Sequence, residues 1–461
     1  MNKKKYIGDR AFYKMVMAVA VPIMLQNFIT NFVNMLDNIM VGSVGTEQMA
    51  AVSIVNQLIF VFNLSIFGAV SGAGIFTSQF YGKKDDDGVR YTLRYKMIFA
   101  LVLTIAAIFL FSVFDENFIK LYLHEAKEVS DLAATLGFAK QYLKIIVWGL
   151  LPFAVANVFA STLRETEQTI APMLAGIISV FINVLFNWIL IFGHFGFPAM
   201  GVRGAALATV IARAVECVFI ILYVIFKRKK YTYFKQSFSS LYIPARLFGQ
   251  ITLKGMPILF NEFIWSLGMS LLAVAYSLHG LDVVAGYSIS STAANLFWIA
   301  FITLGSSIGI IVGKHLGAGE FEEAENAAWR LIFFSLALSL VMMVLVYFVG
   351  DKITLLYKTN EASKAYAGYF IKTCALFMPF VSFTNASYFT LRAGGKTLAT
   401  FMFDSVFMLV ITVPVAFVLS KLAHLSIFIV YPAVQAMDII KSVIGFILLK
   451  SKIWIRNIVN E

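Results

Sequence analysis

Charge is what this chain has least of. Of its 461 residues only 13% are Asp, Glu, Lys or Arg, about half the share of an average soluble domain, so an ordinary water-facing surface is excluded. Cysteine is nearly absent. Cys217 and Cys374 both fall in apolar stretches and read as packing residues, not as a disulfide framework. The five histidines, His124, His194, His279, His315 and His424, sit near the ends of apolar stretches or between them without an HExxH pattern, leaving metal and acid–base catalysis without a ligand set. A phosphate-binding loop is missing as well. "LRAGGKT" (391–397) ends like one, but the pattern needs glycine at 390, where the chain has Thr390, and it follows an apolar helix instead of a strand. Nor does any serine stand on a strained strand-to-helix elbow. These absences argue against an enzyme and against a cofactor, and leave a carrier, driven by an ion gradient if it is active.

What remains is apolar. Hydrophobic residues make up 60% of the chain and the mean hydropathy is +0.83. Runs of about 20 residues, enough to cross a bilayer, recur from end to end. We place spans at 15–40, 49–80, 93–115, 132–163, 170–193, 203–226, 250–278, 283–315, 327–349, 365–391, 398–420 and 424–450. They must be helices, because an open sheet in lipid leaves its edge groups unpaired and a barrel strand would alternate polar and apolar residues. The opening "MNKKKYIGDRAFYKMVMAVAVPIM" has a signal-peptide look, but its apolar stretch is too long and no small-residue cleavage site follows. The expected fold is an all-α polytopic membrane protein of twelve transmembrane helices. With the amino terminus in the cytoplasm, the inner segments hold 25 of the 37 Lys and Arg. That bias predicts a multi-pass protein of the cytoplasmic membrane with both termini inside. The net charge of +12 is spread along one face with no nucleic-acid module, so the expected partners are the bilayer and small molecules, not nucleic acid.

The chain is also a duplication. A shift of 235 puts "VPIMLQN" (21–27) on "MPILFNE" (256–262), "AAVS" (50–53) on "AGYS" (285–288), Ser71 and Gly74 on Ser306 and Gly309, and Gly82 on Gly317. Later the offset falls: Tyr142 and Pro152 meet Tyr369 and Pro379 at 227, and the "LR" pairs at 163–164 and 391–392 match at 228. Two six-helix repeats follow, as an amino-terminal lobe 1–226, a basic cytoplasmic linker 227–249 and a carboxy-terminal lobe 250–461. Repeats of equal orientation are a transporter architecture, with sites inside the halves or between them.

Polar residues inside the spans are the functional evidence. In "NFVNMLDNIMVG" (31–42) the carboxylate of Asp37 costs roughly 2.5–3.5 kcal/mol near a bilayer centre, so it is a functional candidate by default. Asn27, Asn31, Asn34 and Asn38 recur at helical spacing, with Gln26, Thr30 and Asp37 on the neighbouring stripe. Asn183 and Asn187 lie one turn apart in the fifth span and can face Asp37. Together with the Thr209 hydroxyl they suit a hard cation such as Na+, and the same carboxylate can instead carry a proton. Asp37 falls on Leu272 in the second repeat, so this site is not duplicated, whereas Asn27 falls on Glu262. Glu262, beside Asn261 and one turn before Trp265, offers charge and an aromatic face to an organic cation, or bonds a neighbouring helix. Asp404 also needs a partner, and two i,i+3 sets, Asp438 with Lys441 and Arg213 with Glu216, read as internal pairs.

"LQNFITNFVNMLDNIMVG" followed by "AAVS", "GVRGAALATVIAR" (201–213) and "GKHLGAGEFEEA" (313–324), set in twelve helices of two repeats, resemble the multidrug and toxic compound extrusion (MATE) family. The resemblance covers nearly the whole chain. It implies two six-helix lobes forming a V around a central cavity, alternating access, and efflux of organic, often cationic, compounds against Na+ or H+ entry. It also implies that Asp37 is the coupling acid of helix 1, that Asn183 and Thr209 belong to its pocket, and that Tyr142 matches a helix 4 tyrosine there. Glu262 resembles a helix 7 acid of one branch. Two departures stand out. Asn187 replaces a second acid found in another branch, and "ALFMPFVSFTNASYFTLR" (375–392) carries no helix 10 acid. One carboxylate among neutral oxygens leans towards sodium.

The expectation is therefore a monomeric antiporter. Asp37, Asn183, Asn187 and Thr209 bind the coupling cation, and Gln26, Asn27, Asn34, Tyr142, Asn261, Glu262 and Trp265 line the substrate cavity. Two rivals are a lipid-linked oligosaccharide flippase, which would need more cationic residues in its cavity, and a non-transporting receptor or scaffold, which would have no use for Asp37.

Overall fold

The computed structural model describes residues 6–123, 132–355, 357 and 359–460; His124 lies outside them. Among these residues twelve helices are long and apolar enough to cross a membrane. They are α1 (Arg10–Gly42), α2 (Thr46–Lys83), α3 (Asp86–Val113), α4 (Leu132–Glu165), α5 (Ile170–Phe192) and α6 (Val202–Lys227). The second set comprises α7 (Ala245–Ser277), α8 (Leu281–Ala318), α9 (Phe321–Thr354), α10 (Glu361–Ala393), α11 (Thr397–Lys421) and α12 (Ile427–Lys450). Rings and aliphatic side chains stay exposed along their outer faces, Ile105, Phe109, Phe226 and Phe348 among them, which in water would be an aggregating surface and in lipid is a solvated one.

Several helices outrun the apolar segments that predict them. The sequence places a span at 327–349, yet α9 runs from Phe321 to Thr354 with Glu322 and Glu323 in its first turn and Lys352 in its last. Acids at the start and a base at the end complement the helix dipole, so charge extends this helix past the hydrocarbon instead of stopping it. Glycine ends others: Gly193 closes α5 and Gly319 closes α8, both in the left-handed conformation.

The chain divides into two compact units. One comprises residues up to Ala20, Ser78–Asp85 and everything from Thr252; the other comprises Val21–Thr77 and Asp86–Ile251. The repeats reappear in the packing, since α3 on α4 and α4 on α6 in the first half match α9 on α10 and α10 on α12 in the second.

Ser78–Asp85, the end of α2, packs with the second half for a reason already in the repeat. A Cβ on Gly82 would stand 1.9 Å from the Lys314 carbonyl oxygen, and one on Gly317 would stand 1.9 Å from that of Gln79. The four positions form a reciprocal set at the shift of 235 and let α2 and α8 touch backbone to backbone. The carboxy-terminal segment then ties the crossing down. Buried Gln79 donates to the Ala393 and Arg456 carbonyls at 2.9 and 3.3 Å and accepts from the Ile458 amide at 2.9 Å. Phe12 and Val16 of α1 join Ile308, Leu331, Leu391 and Trp454 in the same core.

The basic stretch 227–249 is folded onto its own unit. Tyr231, Tyr233 and Phe234 are buried, Tyr233 Oη donates to Thr166 Oγ1 at 2.8 Å, and Arg94 holds the Tyr242 carbonyl at 2.8 Å.

Candidate functional site

Three helices of the unit containing Val21–Thr77 bring Asp37, Asn183, Asn187 and Thr209 together. Asn183 and Asn187, one turn apart on regular α5, are both buried, and α6 sets Thr209 beside them. Asn187 Nδ2 donates to Asp37 Oδ1 at 2.6 Å and to Asn183 Oδ1 at 3.1 Å. The Asn183 amide fits in two orientations. In one its nitrogen donates to Thr209 Oγ1 at 3.3 Å while its oxygen faces the carboxylate. In the other its nitrogen donates to both Asp37 oxygens, at 2.8 and 2.9 Å, and its oxygen accepts from Thr209.

The second orientation satisfies both ends of the amide; the first brings the Asn183 oxygen to the Asp37 carboxylate with the Asn187 amide hydrogens bridging the two, and the Asn187 oxygen is buried without a hydrogen-bond partner. That is an oxygen cradle of the kind hard cations take. Among the described residues no lysine or arginine pairs with Asp37; its side-chain partners are the neutral amides of Asn187 and, in the second orientation, Asn183. Tyr142, buried on α4, donates from Oη to Asn56 Oδ1 at 3.5 Å and lies within electrostatic reach of Asp37 and Arg213. It stands just before the short 3₁₀ turn Val147–Gly149 and Pro152, where the chain lacks one helical donor and α4 changes its winding.

The remaining expected residues are scattered. Gln26 fits against α5 where Gly176 has no side chain, and it accepts from Arg164 Nη1 at 3.5 Å. Asn27 is half-buried, its carbonyl accepting the amide of the exposed Asn31 at 2.9 Å. The side chains of Asn34 and Asn38 lie outside the described ones. In the other unit, Asn261 is buried and bonds Asp404, Ser405 and Tyr388. Glu262 is half-buried and faces Arg392 and Asp404, and Trp265 stands 6.2 Å from Trp298 between ring centroids.

One pairing differs from the sequence reading, and one was not foreseen by it. Lys441 reaches Asp404 on α11 at 3.1 Å, not Asp438 on its own helix, because widened turns in α11 swing the acid towards α12. Lys96, near the start of the third predicted span, is fully buried in α3 and pairs with Glu165 while donating to Ser161 and Thr162. Its place inside the predicted span 93–115 was the available signal.

The chain is similar to known proteins over most of its length. The model of the MatE family matches residues 22–189 and 257–418. The chain is 25% identical over 416 residues to a probable multidrug resistance protein NorM of Thermotoga maritima, covering 90% of this chain and 87% of that protein. It is 25% identical over 435 residues to the probable multidrug resistance protein YoeA of Bacillus subtilis, covering 91% and 90%. Among solved structures, MATE in the bent conformation aligns with a TM-score of 0.86 at 18% identity, covering 96% of this chain and 95% of that one. A MOP superfamily transporter from Pyrococcus furiosus aligns with a TM-score of 0.83 at 19% identity, covering 95% of each.

Proposed function

The chain belongs to the MatE family, and on that premise we propose that it is a drug exporter working as a secondary antiporter, with Na+ as the coupling ion at Asp37. The observation that carries the reading is a half-buried carboxylate surrounded by amides and a hydroxyl with no basic partner beside it. A carboxylate so placed pays for its desolvation unless a cation joins it.

Sodium arriving from outside meets two Asp37 oxygens and the Asn183 oxygen, with the Thr209 hydroxyl beside Asn183. Its departure lets the Asn183 amide turn its nitrogen to the carboxylate. The site therefore has two arrangements, with and without the ion, which is what alternating access requires: a ligand shifts a conformational equilibrium only through unequal affinity for the two states. Substrate and ion then oppose each other reciprocally. Organic cations are the substrates, drawn to Glu262 and the Trp265 and Trp298 rings. The transporter acts as a monomer in the cytoplasmic membrane with both termini inside, in line with its charge bias.

The test uses purified protein in liposomes at fixed pH. An imposed sodium gradient should move a fluorescent organic cation with the wild type and fail with Asp37→Asn, while both reconstitute equally. Equal transport by the two proteins removes Asp37 from coupling. Transport driven by a proton gradient alone replaces Na+ with H+, and silence under both gradients overturns the antiport reading.

A further inference from the structure

The second half meets the same electrostatic problem with a charge of its own. Asp404 stands in a π-helical turn, Met402–Val406, a local widening that shifts side chains off the α-helical register and recurs at functional sites. Its Oδ1 accepts from Lys441 Nζ at 3.1 Å and its Oδ2 from Asn261 Nδ2 at 3.2 Å. Asn261 is itself held, by Ser405 Oγ donating to its Oδ1 at 2.8 Å and by Tyr388 Oη at 3.4 Å. Asn261, Ser405, Tyr388 and Lys441 are all buried. Both oxygens of this carboxylate have a built-in donor, and one donor is an ammonium.

The position of that ammonium is part of the repeat. The shift of 228 that superposes the two "LR" pairs also puts Arg213 on Lys441. The last helix of each half therefore carries a cation at the same place. In the first half the residue matching Asp404 is Gly176, and Arg213 Nη1 is buried without a hydrogen-bond partner. Asp438, Glu262 and Tyr388 also face the Asp404–Lys441 pair, and Arg392 faces Glu262.

We propose that Lys441 is a resident cation, which occupies Asp404 and closes it to any exchangeable ion, so that the mobile cation is taken in the first half alone. The inference rests on the reading of Asp37 as the coupling site. A tethered ammonium stays beside its carboxylate at an effective concentration that does not fall with dilution. Removing it leaves a buried charge uncompensated, which then calls for a mobile Na+ or H+.

The experiment follows the melting temperature of purified full-length protein as sodium chloride replaces choline chloride at constant ionic strength, and again as pH is varied. Ligand linkage makes a bound cation visible as a rise of a few degrees. The wild type should respond to sodium, and Asp37→Asn should lose that response. Asp37→Asn combined with Lys441→Met should regain a response to sodium or to pH beyond that of Asp37→Asn alone, and Asp37→Asn combined with Lys441→Arg should not. An Asp37→Asn protein that keeps the full sodium response, or a folded Lys441→Met double variant that gains none, overturns the proposal. If the wild type itself ignores both cations, the Asp37 reading fails separately, and a response acquired by Lys441→Met alone still supports the resident cation. Should that variant not fold, retention or loss of the sodium response in Asp37→Asn decides.

Discussion

Asp37 and Lys96 are the same problem solved in opposite ways, a charge inside an apolar helix answered by neutral dipoles in one case and by an acid in the other. Around Asp37 each amide has a separable role. Asn187 Nδ2 makes the shortest contact to the carboxylate, 2.6 Å, and hydrogen bonds to charged groups contribute about 1.5–3 kcal/mol. Asn187→Leu should therefore raise the sodium concentration for half-maximal efflux by about one to two orders of magnitude, without abolishing transport at saturating sodium. Unchanged sodium dependence would show that the amide only packs.

Lys96 has no such exchangeable partner. Lys96→Met leaves Glu165 charged and largely buried, a loss of about 3–5 kcal/mol, whereas Lys96→Met with Glu165→Met should recover most of the lost melting temperature. A double variant no better than the single one would mean that the lysine's bonds to Ser161 and Thr162, and not the pair, set its value. Asp37 was legible because an acid deep in an apolar run has few structural uses. Lys96 was not, because four other Lys and Arg in 81–96 (Lys83, Lys84, Arg90 and Arg94) made it look solvated, and its acid lies on another helix.

At the scale of the element, hydropathy found all twelve helices but not their lengths or their internal irregularities. The apolar run marks the hydrocarbon and the helix does not stop there, as the charged ends of α9 show. Nothing in "MFDSVFMLVIT" (402–412) announces the widened turns of α11, since these depend on how Asp404 and its neighbours pack against α7 and α12. The helix crossing at Gly82 and Gly317 was half visible: the repeat aligned the two glycines as turn residues, while their reciprocal contact needed the structure. Because the opposing atoms are backbone carbonyls, no rotamer change relieves a side chain there. Gly82→Val and Gly317→Val should each lower stability by about 3 kcal/mol or more, seen as a fall in melting temperature of the purified protein, and by similar amounts because the geometry is reciprocal. A large effect at one position and none at the other would mean that the carboxy-terminal segment over Gln79, rather than the crossing, holds α2.

For the whole molecule, the duplication predicts the scaffold and misleads about the chemistry. Offsets of 235 and 228 carry Asp37, Asn183, Asn187 and Thr209 onto Leu272, Ile411, Val415 and Met437. Every polar group of the proposed cation site has an apolar counterpart, and Leu272 lies buried in a cluster with Met408, Val413 and Val434. Repeats of one fold thus hold two electrostatic solutions, an open carboxylate in the first half and a neutralised one in the second. If the site were a property of the fold, moving its acid should move its function. If it depends on the amides of α5, an acid at 272 gains a charge and no ligands. Asp37→Asn with Leu272→Asp should then fail to recover sodium-driven efflux, and Leu272→Asp alone should destabilise the protein by roughly 2.5–3.5 kcal/mol, the insertion cost of an unsupported acid. Recovered efflux would show that either half can house the coupling ion and that the local dipoles around Asp37 are dispensable.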